Sequence, residues 1–368
     1  MASDNKPSLD DIVKLDSSLR TPDRVTQEVF QASPVGSLTT AIGDTFYGIN
    51  HRQTPGAISI NKDYYGLTFF TRPRLNLTAD NIRTQRLLTP LLTTERASIQ
   101  RIIRCLLDPE LYRSRADAAN GVSPFVDPQQ AFIPVLTNHL LSISGWPDVV
   151  APTFTSAEGV YKEQISLIDG LTQNYSTYDI TANFRNIPGD PISLLFYVWI
   201  TYASMVYQGV MVPYPDMIIN NEIDYNTRIY RLVLDSTKTR VQKIAATGAA
   251  FPLNTPLGAA FNYEADRPVN NSNDQITINF RCMGAIYQDD ILIYEFNRTN
   301  ELFNDTMSDG KRERHYTKVP MQALGVFNNR GYPRINPDTY ELEWWVDNDT
   351  YNNLLPMYNR LKEQKVTP

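Results

Sequence analysis

The pattern of apolar and polar positions singles out the run from Asp190 to Asp216, which has no charged residue between its two end aspartates. A membrane-spanning helix needs about 20 predominantly apolar residues, and this run approaches that length. Its second half, however, carries polar side chains and two prolines that shorten any helix. Pro191 directly after Asp190 is typical of a helix start, and Gly209 of a helix end. The run therefore predicts a buried helix of a globular domain, and no membrane partner is expected.

A second helix is predicted in "TERASIQRIIRCLLDPEL", where apolar residues recur at helical spacing and form one stripe. The stripe consists of Ile99, Ile102, Ile103, Leu106 and Leu107. Three arginines lie off it, namely Arg96, Arg101 and Arg104. We expect them on a solvated face, with a contact to another subunit as the alternative. A further helix is predicted to end near Gly145.

After about residue 160 the pattern changes to alternation and β-branched runs, which favour strands. The segments are "EQISLID", "STYDITANF", "TRIYRLVLD", "TRVQKIAATG", "DQITINFRCMGAIY" and "DILIYEF". The first two predict a hairpin through "GLTQNY", and Asp289-Asp290 predicts a turn between the last two. A strand "TYELEWWV" and a terminal helix "TYNNLLPMYNRLKEQ" follow. One helix among about six strands indicates an α+β, mainly β fold: a β-barrel or sandwich with one flanking helix.

Four regions are predicted along the chain. Residues 1–35 form a polar N-terminal arm, and 36–160 a mixed helical and irregular region. Residues 161–300 form the β domain, and 301–368 a C-terminal extension. The composition of the two end regions suggests little core of their own, so we expect both to become ordered against adjacent proteins.

Charge and composition narrow the classes of function. The chain of 368 residues has a net charge of −6, which argues against a general phosphate-binding surface. Two cysteines and an N-terminus without an apolar signal core favour folding in a cytoplasm. One basic cluster stands out: Lys311, Arg312, Arg314, His315 and Lys318. A solvated loop is the simpler interpretation, and contact with an acidic surface of another subunit is the alternative.

Signatures of chemistry are absent from the sequence. It contains no glycine-rich phosphate loop, no H-E-x-x-H, no C-x-x-C and no G-x-S-x-G. Histidines are few and scattered, so spacing predicts no metal site. We therefore expect neither a cofactor nor catalysis.

Three segments together resemble the tail-tube-like structural proteins of contractile-tailed bacteriophages. They are "GDPISLLFYVWITYASMVYQGVMVPYPDMIINNEIDYNTRIYRLVLD", "KIAATGAAFPLNTPLGAAFNYEADRP" and "ITINFRCMGAIYQDDILIYEFN". The similarity rests on W-I-x-Y, D-Y-x-x-R-I-Y and T-G-x-x-F-P-x-x-x-P-x-G, and it covers about 160 to 300. It implies a tail-tube-like barrel that stacks as homohexameric rings around a channel for DNA. The structural or interface residues it implies are Trp199, Tyr202, Tyr207, Tyr225, Arg228, Tyr230, Phe251 and Pro252.

The resemblance also suggests which residues line the channel. If the predicted hairpin from "EQISLID" to "STYDITANF" faces the bore, its charges are Glu163, Asp169 and Asp179. Between Glu163 and Asn183 it has no basic residue, so we expect a neutral to negative wall that DNA passes without specific binding. Neighbouring subunits would cover the apolar helix, with Trp199, Tyr202 and Tyr207 as amphipathic contacts.

The expected function is that of a virion structural protein. It forms a ring of the tail tube or its junction with the baseplate, bound to itself and to other tail or baseplate proteins. Roughly 160 residues precede the similar region and roughly 70 follow it, which suggests a specialised level of the tail. A neck or head–tail joining protein is the alternative. An enzyme, a tail-associated hydrolase, is the alternative from a different class of function. The protein is expected in the virion tail after assembly in the host cytoplasm.

Overall fold

The computed structural model describes residues 65–112, 122–170, 174–235, 237–261, 274–320, 323–327 and 330–366. The strands, in chain order, are β1 (Gly66–Phe70), β2 (Leu140–Ser144), β3 (Thr153–Thr155), β4 (Ser166–Ile168), β5 (Asn174–Arg185), β6 (Ile229–Leu234), β7 (Val241–Pro252), β8 (Gln275–Tyr287), β9 (Tyr316–Lys318), β10 (Tyr332–Ile335) and β11 (Leu342–Asp347). The α-helices are α1 (Ala79–Ile82), α2 (Ile99–Leu107), α3 (Pro134–His139), α4 (Pro191–Tyr207), α5 (Pro215–Asn220), α6 (Leu257–Ala260), α7 (Ile291–Phe303), α8 (Arg312–His315) and α9 (Asn348–Val366). The predicted N-terminal arm, 1–35, lies outside the described residues.

A six-stranded antiparallel sheet organises the fold. Its strand order is β1-β6-β7-β8-β5-β2, and it curls into a nearly closed, barrel-like shape. Strands β5 and β8 pair over most of their length, with Ile180 opposite Phe280. The strands predicted in "STYDITANF", "TRIYRLVLD", "TRVQKIAATG" and "DQITINFRCMGAIY" are all present, which confirms the mainly β, tail-tube-like fold class.

Helix α4 is the predicted buried helix, and it packs on one face of this sheet. Its backbone starts at Asp190, whose φ of 48° is left-handed, and stops before Gly209, whose φ of 71° suits a residue without Cβ. The Asp190 carboxylate makes no capping hydrogen bond to the helix, and it accepts one from Asn186 Nδ2 (2.5 Å). In the described part of the chain, no helix is long and apolar enough to span a membrane.

The chain itself covers the side of α4 that faces away from the sheet. Helix α2 packs against α4, and apolar residues of both helices belong to one core with Phe184 and Phe280 of the sheet. Trp199 is completely buried, and its Nε1 donates a hydrogen bond to the Tyr225 carbonyl (2.8 Å). Residues 65–112 and 122–140 therefore cover part of what the sheet leaves bare. Contact of neighbouring subunits with the partly exposed remainder of the helix stays a prediction.

Helix α2 is present as predicted, but two of its arginines are not solvated. Ser98 Oγ accepts a hydrogen bond from the Arg101 N–H and so caps the helix start (3.3 Å). Arg101 and Arg104 are both buried, and Arg104 Nε donates to the Leu77 carbonyl (2.8 Å). The reason is that α2 lies between α4 and the segment around Leu77, so more than one of its faces is covered.

A second long helix, α7, replaces the strand predicted in "DILIYEF". Leu292, Ile293 and Phe296 are buried at helical spacing, and the Phe296 ring lies 5.4 Å from that of Tyr230. The predicted turn at Asp289-Asp290 does not join two strands, because a helix follows it. The Asp289 carboxylate accepts a hydrogen bond from the Ile291 N–H at the start of that helix (3.0 Å). The predicted helix near Gly145 is also shorter: α3 ends at His139 and strand β2 follows.

The C-terminal region has a core of its own, contrary to the expectation drawn from its composition. Strands β10, β11 and β9 form a small antiparallel sheet, in which β11 is the predicted "TYELEWWV" strand, and α9 is the predicted terminal helix. Met307, Tyr316, Tyr332 and Trp345 form a buried cluster beneath it. Helix α7 leads into this region across the predicted boundary at residue 300. The division of the chain into four regions stays a prediction.

The basic cluster of this region is largely neutralised within the chain. Lys311 Nζ lies 2.7 Å from Asp305, and Arg312 lies 2.8 Å from Asp309 while its guanidinium covers Trp345. Lys318 contacts Glu341 and Glu343 (2.9 and 3.1 Å). Arg312 is buried, whereas Lys311, Arg314 and His315 are exposed, as expected for a solvated segment. Contact with an acidic surface of another subunit stays a prediction.

Replacement of Trp199 by alanine tests the burial of α4 within one subunit. We expect Trp199→Ala to lower the free energy of unfolding by about 3–5 kcal/mol, because it leaves a cavity and an unpaired Tyr225 carbonyl. Urea unfolding followed by circular dichroism measures the loss. Tyr207, 92% exposed on the same helix, provides the control, and Tyr207→Ala should change stability by less than about 0.5 kcal/mol. Equal stability of wild type and Trp199→Ala would contradict the burial.

Asp108 joins the 65–112 layer to the segment after α4. It is completely buried, and its oxygens accept hydrogen bonds from the Leu77 N–H (2.8 Å) and the Tyr214 hydroxyl (2.9 Å). Burial raises the pKa of Asp108 to about 7, against the opposing effect of these donors and of Arg104. The folded protein therefore holds a proton here at pH values where the unfolded chain has lost it.

The raised pKa gives a pH dependence with a defined sign. The stabilisation is complete below the ordinary pKa of 3.8 and is lost as pH rises through about 7. Between these values we expect Asp108 to lower the free energy of unfolding by up to about 1.4 kcal/mol per pH unit. Asp108→Asn should flatten the stability profile measured by urea unfolding, while the exposed control Asp338→Asn should leave it unchanged. Parallel profiles for wild type and Asp108→Asn would contradict the assignment.

Candidate functional site

One face of the central sheet is polar where strands β2, β5 and β8 lie side by side. Successive residues of a strand point to opposite faces, so Ile180, Ala182 and Phe184 of β5 enter the core with α4 while their neighbours point away from it. The register aligns these outward positions across the three strands. They are Ser142, Ser144, Asp179, Thr181, Asn183, Arg185, Thr277, Asn279 and Arg281.

Hydroxyl and amide groups on this face bond to each other across the strands. Asn183 Nδ2 donates to Ser142 Oγ (2.8 Å), and Thr277 Oγ1 donates to Asn183 Oδ1 (2.7 Å). Thr181 Oγ1 donates to Asn279 Oδ1 (2.9 Å). These hydroxyl and amide groups are neutral, so this part of the face offers no charge to a passing ligand, and they satisfy one another's hydrogen-bonding groups. We refer to this surface as the polar sheet face.

A charged pair lies beside these neutral groups. Arg281 Nε and Nη2 on β8 lie 2.5 and 3.3 Å from the two carboxylate oxygens of Asp179 on β5. Both side chains are about half exposed, at 43% and 50%. Asp179 was expected to be a free negative charge; the structure places a cation directly opposite it, from a strand 102 positions away in sequence.

The other two predicted channel residues do not share this face, because the predicted hairpin does not form. Strand β4 pairs with β3, not with β5, in a separate two-stranded sheet. Glu163 lies in the loop of that hairpin and accepts a hydrogen bond from the Tyr161 N–H (2.7 Å). Asp169 follows β4, where its N–H donates to the Pro152 carbonyl (2.8 Å). Asp179 alone of the three lies on the polar sheet face.

The β3–β4 hairpin carries apolar side chains that nothing in the described structure covers. Contiguous exposed apolar surface usually marks a contact site. The exposed residues on and beside the two strands are Val149, Val150, Phe154, Val160, Tyr161, Ile165, Leu167 and Ile168. A second exposed group lies around the turn from α4 to α5: Tyr207, Val210, Val212, Ile218, Ile219 and Ile223. The sequence pattern predicts neither surface, although Tyr207, which the resemblance implies as a contact, belongs to the second.

Most residues that the resemblance marked as structural or interface contacts pack inside the chain. Trp199, Tyr202 and Tyr230 are buried, and the Tyr202 hydroxyl donates to Asp224. Arg228 contacts Glu295 at 2.6 Å and covers the Tyr230 ring. Tyr225 and Phe251 are half-buried and form a ring pair at 6.0 Å, and Pro252 is buried. Amphipathic contact with another subunit therefore stays a prediction for Tyr207 only.

Polar and apolar surfaces are the main features of the described part of the chain. Among the described residues, no group of three histidine, cysteine or acidic side chains could hold a metal ion. What the fold presents is a barrel-like sheet with a polar face, two helix-covered apolar cores and two exposed apolar surfaces.

Comparison with known proteins gives the family. The family model described as "Putative phage tail tube protein" matches residues 2–361, so the chain belongs to this family of phage tail tube proteins. The match extends well beyond the 160–300 region that carries the sequence resemblance. No curated protein sequence matches the chain.

Solved structures of contractile injection systems show limited similarity. The cap that terminates the tube of the anti-feeding prophage is 14% identical, with a TM-score of 0.27 over 43% of this chain and 82% of that one. The extended-state sheath/tube terminator of the PVC extracellular contractile injection system is 15% identical, with a TM-score of 0.25. The match covers 43% of this chain and 88% of that one. A chain of the extended-state sheath-tube complex of that system is 16% identical, with a TM-score of 0.27. The match covers 48% of this chain and 97% of that one.

Proposed function

We propose that this tail tube family protein forms a homohexameric ring of the tail tube, or of its junction with the baseplate, around a channel for DNA. The polar sheet face lines the channel, and the protein works by assembly, without catalysis or a cofactor. The observation that carries the proposal is the polar sheet face itself: a surface of bonded hydroxyl and amide groups on the side of the sheet away from α4.

A channel wall for DNA must avoid holding the phosphate backbone. Each phosphate that a lysine or arginine neutralises adds salt-dependent affinity, which would slow passage. On the polar sheet face, neutral groups bond to each other and Arg281 is paired with Asp179. Arg185 lies exposed at the end of β5, opposite Gln275 at the start of β8 and so at the edge of this face. Along the middle of this wall, DNA can therefore pass without a specific contact.

The two exposed apolar surfaces supply the contacts for assembly. Identical subunits that join head to tail need two different surfaces, one complementary to the other. The β3–β4 hairpin and the α4–α5 turn are separate in the fold and distinct from the polar sheet face. We assign these surfaces to contacts with other copies and with other tail or baseplate proteins. The assembled protein belongs in the virion tail, after folding in the host cytoplasm.

The length of the chain does not by itself indicate a specialised level of the tail. The flanking regions that suggested one fall inside the family match, which spans residues 2–361. They also build the fold, since α2 covers α4 and the C-terminal sheet has its own core. A neck protein differs from a tube ring in symmetry, and a tail-associated hydrolase differs in having a reaction centre.

Electron microscopy of the purified protein tests the proposal. Six-fold rings or tubes with strands β2, β5 and β8 facing the bore are expected. Twelve-fold rings would favour a neck protein, and monomers that never assemble would contradict the tube assignment. Rings with the polar sheet face on the outside would remove the channel role from this face.

A charge placed on the hairpin tests its role in assembly. We expect Leu167→Asp to prevent ring or tube formation, because it puts a carboxylate into an apolar contact. The monomer should remain folded, since Leu167 is 63% exposed. Leu302→Asp is the matched control: Leu302 is 66% exposed on α7, away from both proposed contact surfaces. Sedimentation velocity measures assembly, and normal assembly of Leu167→Asp would exclude the hairpin as a contact.

A further inference from the structure

The polar sheet face holds a cation that would bind phosphate if it were free. Arginine is the side chain best suited to phosphate, because its planar guanidinium presents several donors in a fixed geometry. The guanidinium of Arg281 is 43% exposed, and its Nε and Nη2 both point at the Asp179 carboxylate. A carboxylate bound in this way occupies one edge of the guanidinium and offsets its charge, which weakens its attraction for a phosphate.

We propose that Asp179 blocks phosphate binding at Arg281, and so sets the indifference of this face towards DNA. The inference rests on the proposed function for its biological meaning, but the blocking itself is a property of the pair. It assigns to Asp179 a role different from a free negative charge that repels DNA. Removing the Asp179 charge should create a DNA-binding site, and removing Arg281 as well should abolish that site.

The position of the pair supports a blocking role over a stabilising one. Exposed ion pairs contribute little to stability because water and salt screen them. Elsewhere on the same strands, cross-strand contacts use uncharged partners, such as Thr181 with Asn279 and Asn183 with Thr277. The sheet therefore does not depend on ionic contacts to hold β5 against β8, whose backbone ladder runs through most of both strands.

Assembly would multiply the effect of a free arginine. In a ring of identical subunits, Arg281 recurs once per copy at the same height, and stacked rings repeat the set along the bore. Each phosphate contact adds about 0.9 to the slope of log affinity against log salt concentration. A wall that is neutral because of Asp179 would become a series of phosphate sites without it.

The test compares four variants of the full chain with wild type: Asp179→Asn, Arg281→Gln, the double variant, and Asp169→Asn. Binding of a short DNA duplex is followed by fluorescence anisotropy over a series of salt concentrations. Asp169→Asn is the matched control, because it makes the same change of charge beside β4, off the polar sheet face. Thermal unfolding confirms that each variant is folded, which is expected because both members of the pair are half exposed.

We expect Asp179→Asn to bind the duplex several-fold tighter than wild type at low salt, with a slope steeper by about 0.9 for each phosphate contacted. Arg281→Gln, the double variant and Asp169→Asn should all match wild type. A gain equal to that of Asp169→Asn would reduce the effect to net charge and overturn the proposal. A gain that persists in the double variant would overturn it as well.

DNA passage through reconstituted tails separates the inference from the proposed function. If the face lines the channel, Asp179→Asn should slow passage, and higher salt should relieve the delay. Normal passage together with tighter duplex binding would reject the channel location and keep the blocking role of Asp179. Normal passage without tighter binding would overturn the blocking role.

Discussion

The burial of helix α4 on two sides is the constraint on which the rest of the structure depends. A helix with no charged residue over its length must be covered nearly all round. The central sheet covers one side, and the layer that contains α2 covers the other. The polar ends of two large side chains are satisfied inside this sandwich, Trp199 by the Tyr225 carbonyl and Tyr202 by Asp224. Residues 65–112 and 122–140 are therefore part of the core of the β domain, and not an addition to a finished unit.

The same burial determines what the opposite face of the sheet can be. Strand alternation sends every second residue of β5 and β8 into the core with α4, so the remaining positions are free of the need to be apolar. In this chain they are mostly hydroxyl and amide residues, which bond across the strands. A helix-covered face and a polar face thus come from one alternating pattern. The polar face is the proposed channel wall, and it exists because the alternate residues of the same strands are buried against α4.

The sequence predicts most of the helices and strands, but fewer of the contacts between them. Long alternating runs such as "DQITINFRCMGAIY" identify strands because the period is repeated many times. The strand predicted in the short run "DILIYEF" is wrong, and the run lies in helix α7. A few β-branched and aromatic residues fit a strand or the buried side of a helix equally well. The hairpin through "GLTQNY" failed for another reason: pairing of β4 with β3 is decided by tertiary contacts. Arg104 was expected in solvent because a stripe pattern describes one covered side, whereas α2 is covered on more than one. The Asp179–Arg281 pair could not be found from spacing, since 102 positions separate its members.

On the proposed assignment, assembly and DNA passage depend on opposite kinds of surface, and this separation has a physical consequence. Apolar contacts between hairpins and helix turns do not weaken when salt screens charges, and some salts strengthen them. Contacts between arginine and phosphate weaken steeply with salt. A tube held by the exposed apolar surfaces can therefore stay assembled at ionic strengths at which its wall holds DNA least. Because the carboxylate of Asp179 is part of the wall itself, the wall does not need high salt to release DNA. Neutrality is built into the pairing of β5 with β8, so every copy that folds correctly carries it.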